Sequence, residues 1–305
     1  MHFPVAGIDV SPLVPLGVAL CVSTLTSMGG ISGAFVLLPF QVSVLGFAGP
    51  AVTPTNHLFN VVAIPSGVYR YVREGRMLWP LCWIIIAGTL PGVVGGSLAR
   101  IYVLPSPRDF KLFMGFVLLL IGSRLAHKLI TRRPDEPHEE SGAQGPTPQA
   151  GRPWTVKTLR FDWRRLEYEF DAKRYGVPTP ALGALTAAIG VIAGAYGVGG
   201  GAIIAPLLVS VFGLPVYTIA GATLLGTCLT SALGVAFFCF AGPALGASSV
   251  TPDWALGLLL GAGGLGGMYL GARLQKRVPA RAIEALLAVA ISALGVWYVV
   301  GFFRP

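Results

Sequence analysis

The chain has 305 residues, 54% of them hydrophobic and only 11% charged, with a mean hydropathy of +0.71. Soluble domains carry about 25% charged residues, so this composition excludes a water-soluble globule. The formal charge of +9 does not call for nucleic acid, because a basic excess among apolar runs reports loops on the cytoplasmic side of a membrane.

The apolar runs fall at 13–28, 52–72, 78–99, 110–130, 180–196, 216–240, 254–274 and 282–303, each near the length that crosses a bilayer. After the first run comes a break, Gly29-Gly30-Ile31-Ser32-Gly33, and a second limb over 31–47. The next run opens with Thr53 and Thr55 around Pro54, which predicts a helix N-cap with proline at the first helical position. It then carries Asn56, His57 and Asn60. The run at 78–99 holds Gly88, Gly92 and Gly96, a spacing of four suited to tight helix packing. Between the halves, 134–153 has the acidic, Gly/Pro/Gln-rich composition of a flexible linker. Beyond it Phe161 and Trp163, then Leu166, Tyr168 and Phe170, alternate with polar residues over 154–175. Period two predicts a small β-hairpin on the cytoplasmic face, with an amphipathic surface helix as the rival. The second half repeats the plan: a run, the break Gly197-Val198-Gly199-Gly200-Gly201, a short limb to 212, then a run with Thr223 and Thr227. The four cysteines lie inside apolar runs without C-x-x-C spacing and read as small core residues.

A shift of 167 superposes Gly30 on Gly197, Gly33 on Gly200, Pro39 on Pro206, and Asn56 and Asn60 on Thr223 and Thr227; a shift of 175 superposes Trp79 on Trp254. Internal repeats are the usual construction of secondary transporters. If each broken region is a hairpin, the halves have odd parity and are inverted. One side then receives Arg70, Arg73, Arg76, the basic residues of 124–174 and those of 273–281, while the other keeps Arg100, Arg108, Lys111 and Arg304. That sorting obeys the positive-inside rule. The expectation is an all-α polytopic membrane protein of two inverted repeats, 1–131 and 179–305, around a cytoplasmic segment at 132–178. Each repeat is a glycine-broken helical hairpin plus three transmembrane helices, about 8 full spans with re-entrant limbs, or 10 segments. Both termini lie outside.

A broken helix at membrane depth exposes N–H groups and a positive dipole end to whatever fills the gap, a setting preorganised for an anion. Backbone donors at Gly30, Ser32, Gly33, Gly199, Gly200 and Gly201, with side chains of Asn56, Asn60, Thr223 and Thr227, form the candidate substrate site. The same side chains also suit interhelical hydrogen bonding alone. His57 is the candidate coupling residue, with packing as its alternative. The sequence has no H-E-x-x-H helix, no G-x-S-x-G elbow and no complete P-loop, so neither an enzyme nor a metal or cofactor is expected. An anion channel, a proton-coupled uptake permease and a non-transporting scaffold stay open beside a carrier.

The segments GAYGVGGGAIIAPLL at 194–208, SMGGISGAFVLLPF at 27–40 and EGRMLWP at 74–80 resemble the sulfite exporter TauE/SafE family. The resemblance implies a prokaryotic inner-membrane carrier for small sulfur-containing anions such as sulfite, thiosulfate or sulfoacetate. Its expected partners are that anion and the lipid bilayer, and nothing in the residues sets an oligomeric state.

Overall fold

The computed structural model describes residues 1–28, 31–47, 49–131, 156–170, 173–244, 250–274 and 280–303. Gly30 and the expected linker at 134–153 lie outside the described residues. A short hairpin, β1 (His2–Phe3) and β2 (Ile8–Asp9), precedes helix α1 (Leu13–Met28). After the first break, α2 (Ala34–Pro39) passes into a π-helical turn, Phe40–Val44. Three long helices complete the half: α3 (Val52–Arg73), α4 (Trp79–Tyr102) and α5 (Pro107–Thr131). A three-stranded antiparallel sheet follows, β3 (Lys157–Phe161), β4 (Arg165–Phe170) and β5 (Lys173–Pro178), with β4 central. The second half comprises α6 (Thr179–Tyr196), α7 (Gly200–Phe212), α8 (Val216–Ala236) with a π turn at Phe237–Ala241, the one-turn α9 (Gly242–Ala244), α10 (Trp254–Leu274) and α11 (Ala280–Phe303).

Among the described residues four stretches are long and apolar enough to cross a bilayer: Trp79–Tyr102, Thr179–Tyr196, Thr218–Ala241 and Trp254–Leu274. Helix α3 has the length, 22 residues, but loses apolarity to Thr53, Thr55, Asn56, His57 and Asn60. All five are wholly buried, so its polar content faces protein. Large apolar side chains including Trp83, Phe116, Leu258 and Trp297 are exposed, a surface that water would not tolerate at this extent.

Helix α1 packs on α10 and α4 on α6, α3 packs on α10 and α4 on α8, while α3 meets α8 and α5 meets α11 across the middle. Exchanging the first-half helices for their second-half counterparts turns α1/α10 into α6/α4 and α3/α10 into α8/α4, and maps α3/α8 and α5/α11 onto themselves. Glycine sets the close approaches. An added Cβ at Gly92 would stand 2.6 Å from Ala187 O, and at Gly96 2.1 Å from Val191 O, while at Gly267 it would meet Leu20 O at 2.4 Å. These contacts also give directions. Residue numbers rise together along α4/α6 (Gly88 at Thr186, Gly96 at Val191) and along α1/α10 (Leu16 at Gly263, Thr24 at Gly271), and run oppositely along α3/α8 (His57 at Gly234, Tyr71 at Gly221). With α3 parallel to α10 (Leu58 at Gly257, Val62 at Gly261) and α8 parallel to α4 (Met77 before α4 at Gly221, Ile85 at Gly226), α1 and α6 start at opposite ends of the bundle.

The expected hairpin is a three-stranded sheet, and the surface-helix alternative fails. Leu166, Tyr168 and Phe170 are buried along β4 at period two, and the Tyr168 hydroxyl meets Thr218 Oγ1 at 2.9 Å near the start of α8. The third strand, 173–178, was not anticipated, because Val177 is its one fully buried side chain and no alternation announces it. The N-cap expectation also needs correction. Helix α3 has Ala51 at its N-cap without a side-chain cap bond; Thr55 Oγ1 donates to Ala51 O within the helix and Thr53 Oγ1 donates across to Ala195 O. Of the cysteines read as core residues, Cys82 is buried and Cys21 is exposed; all four are free. A cysteine on the outer face of an apolar helix costs nothing in lipid, so its run did not reveal its direction.

Candidate functional site

The second break is built by two glycines at positive φ. Gly197 ends α6 at φ 85° and Gly199 precedes α7 at φ 70°, a conformation that glycine adopts without steric cost. Neither could carry a side chain in any case. A Cβ at Gly197 would meet Thr53 O at 2.7 Å, and one at Gly199 would meet Thr227 and the Ser231 hydroxyl within 2.8 Å. Gly200 N–H donates to Thr230 Oγ1 at 3.2 Å. Gly201 is seated hard on α8, with its hypothetical Cβ 1.8 Å from Thr223 O.

Helix α3 joins this break to the first one. Asn56 Nδ2 donates to Ala34 O at 3.0 Å and to Gly197 O at 2.9 Å. Asn60 Nδ2 donates to Val198 O at 3.0 Å and to Ser231 Oγ at 3.1 Å, while Ser32 Oγ donates to Asn60 Oδ1. Each asparagine therefore contacts both breaks. The first limb adds Gln41, whose Nε2 donates to Asn56 Oδ1 at 3.1 Å, and Ser32 Oγ also accepts from Ala34 N–H at 3.2 Å. The ring of Phe35 at the start of α2 stacks on Tyr196 at the end of α6, centroids 5.6 Å apart.

The sequence-predicted residues thus divide. Ser32, Asn56, Asn60, Gly199, Gly200, Gly201 and Thr227 come together where the breaks meet α3 and α8. Gly33 abuts Ser23 of α1 and the Phe59 ring instead. Thr223 and Thr227 lie under the start of α7, but their hydroxyls donate to Ala220 O (3.1 Å) and Thr223 O (2.8 Å) of their own helix. His57 faces α8, with Nδ1 3.2 Å from Ser231 Oγ and its ring against Gly234; its Nε2 is buried without a partner among the described residues. In this conformation both asparagine amides are engaged by protein acceptors, so the breaks are latched to one another.

Several members were missed. Ser231 and Thr230 stand one turn beyond Thr227 and were legible as a continuation of the same polar face. Gln41 is a lone amide in an apolar limb. Arg100, assigned to a helix end from charge sorting, is wholly buried; its Nε donates to Thr53 Oγ1 at 3.2 Å, and Thr53 touches Gly197. No groups of three or more His, Cys, Asp or Glu that could hold a metal occur among the described residues.

The family model described as sulfite exporter TauE/SafE matches residues 16–298, from within α1 to near the end of α11. Searches of curated proteins and of solved structures return no match.

Proposed function

Because the chain belongs to the sulfite exporter TauE/SafE family, a family of membrane transporters, we propose that it exports small sulfur-containing oxyanions, sulfite or an organosulfonate, by alternating access across a prokaryotic inner membrane. The observation that carries this reading is the double latch: two helix breaks from separate halves meet on Asn56 and Asn60, each of which bonds to both. A carrier needs a midplane site that either half can uncover, and broken helices at a repeat interface are where such sites lie.

The reading takes the halves as inverted repeats, 1–131 and 179–305, supported by the antiparallel α3/α8 contact and the exchange pattern of the helix packing. The limbs are taken as re-entrant. At 1.5 Å per residue, α2 with its π turn and α7 are about 17 and 20 Å long against about 30 Å of hydrocarbon. An entering oxyanion would take the amides of Asn56 and Asn60 from the break carbonyls and the N–H groups of Ser32 and Gly199 to Gly201, freeing one half to rock against the other. Export from a negative interior is helped by about 2.3 kcal/mol per charge per 100 mV, so the carrier needs no coupled ion, and His57 is then a packing residue.

Counterflow in proteoliposomes tests the function. Internal unlabelled sulfite should accelerate uptake of labelled sulfite, saturably. Linear, unsaturable flux would make the protein a channel, and no flux of sulfite, thiosulfate or sulfoacetate would end the transport reading.

A further inference from the structure

Resting on that reading, we infer that Arg100 is a docking station for the oxyanion between the latched breaks and the end of the bundle where α3 begins and α4 ends. The argument starts from a charge without a counter-charge. Arg100 is 0% exposed, yet among the described residues no carboxylate lies within ion-pair distance of it. Its partners are uncharged: Thr53 Oγ1 at 3.2 Å from Nε, Leu104 O from one terminal nitrogen and Gly49 O at 3.4 Å from the other, with Cζ 3.9 Å above the Phe110 ring. These acceptors occupy three of the five N–H groups of the fork. They leave the full positive charge unneutralised, which burial penalises unless a charge of opposite sign arrives.

The place of Arg100 says which charge arrives. Thr53, Asn56 and Asn60 lie at i, i+3 and i+7 on one face of α3, and all three are wholly buried. Thr53 bonds to Arg100 and touches Gly197; Asn56, one turn on, bonds to Gly197 O. The buried guanidinium is thus the first member of the row of donors that ends on the second latch. A planar fork engages two oxygens of one oxyanion at once, so the ligand class is a sulfite-like or sulfonate head rather than a halide. A purely structural alternative exists, because a cation bonding the Leu104 carbonyl also suits a helix C-terminus. The two roles predict opposite behaviour on removing the charge.

The test uses the full-length protein in detergent, with melting temperature followed against sulfite, thiosulfate and sulfoacetate and Kd read from the ligand dependence. Arg100→Gln keeps hydrogen-bonding capacity and removes the charge. We expect it to melt no lower than wild type without anion, and to bind sulfite roughly tenfold to hundredfold more weakly, the cost of a charged hydrogen-bonded contact. Arg100→Lys, which keeps a charge without the fork, serves if the glutamine variant fails to fold, and it too should bind sulfite about tenfold more weakly. An unchanged sulfite Kd in either variant, or a lowered melting temperature with wild-type Kd, overturns the assignment while leaving the transport reading intact. A wild type that responds to none of the three anions overturns both.

Discussion

Asn56 is the residue on which the latch is most exposed to test. Its amide holds Ala34 O and Gly197 O, and its Oδ1 accepts from Gln41. Asn56→Ala removes three buried hydrogen bonds, two of them to the Ala34 and Gly197 carbonyls, a loss of about 1–3 kcal/mol. Asn56→Asp keeps the shape while placing an acceptor and a negative charge against two carbonyls and the anion path. The aspartate variant should lose sulfite counterflow entirely, whereas a role confined to packing would allow flux in whatever fraction of it folds. The pair at 56 and 60 was legible because the repeat preserves a polar pair at the same offset, Thr223 and Thr227. The two halves nonetheless use their pairs differently: the asparagines reach across both breaks, and the threonine hydroxyls bond back to α8. Side-chain reach explains the difference, since a hydroxyl on Cβ readily finds the carbonyl three or four residues back. Arg100 was illegible for another reason. A cation near a helix end normally reaches water or lipid headgroups, and no local pattern marks one that folds inward.

The glycine ladders and the α3–α4 turn belong to the scale of elements. Gly92 and Gly96 hold α4 against α6, and a Cβ at either would enter backbone. Gly92→Ala should destabilise the detergent-solubilised protein by about 1–3 kcal/mol, as overpacking does, while Gly95→Ala, with nothing within 4 Å, should change little. Equal melting temperatures for the two variants would contradict the packing role. In the turn, Glu74 pairs with Arg70 at 2.8 Å and with the buried Arg76. Burial alone would raise its pKa, but Arg76 and then Arg70 outweigh that and hold the carboxyl below its ordinary value. Because the folded pKa is depressed, the stabilisation is complete above the unfolded carboxylate pKa and is lost as pH falls through the folded one. The advantage of wild type over Glu74→Gln should therefore be full at neutral pH and vanish in acid; a difference in melting temperature that persists unchanged at low pH would refute it. Period-two alternation revealed β4 because its alternate side chains are buried. It gave no sign of β5, which is held mainly by backbone pairing with β4. Nor did it announce the π turns, which follow Pro39 and Ala236 without a sequence signature of their own.

At the scale of the whole molecule, charge placement and helix direction are independent lines that meet. Since α1 and α6 begin at opposite ends, the N-terminal hairpin and the three-stranded sheet are separated by the bundle. The hairpin is fixed at its end by Asp253, which accepts from Val5 N–H (3.2 Å), Ala6 N–H (3.0 Å) and Leu256 N–H (3.0 Å) as the cap of α10. The sheet sits at the end where α4 and α8 begin, together with Arg70, Arg76 and the basic strands. The positive-inside rule predicts that this end faces the cytoplasm. Single cysteines placed in a cysteine-free background at Val5 and at the exposed Trp163 should consequently react with a membrane-impermeant maleimide from opposite faces: position 5 in intact cells, position 163 only in inverted vesicles. Labelling of both from one face would break the antiparallel relation of the halves, and reversal of the two faces would overturn the assignment of the sheet end to the cytoplasm. The row from Arg100 to Asn60 starts at the hairpin end, so the same two cysteines decide whether the proposed docking arginine lies on the exit side of the latch.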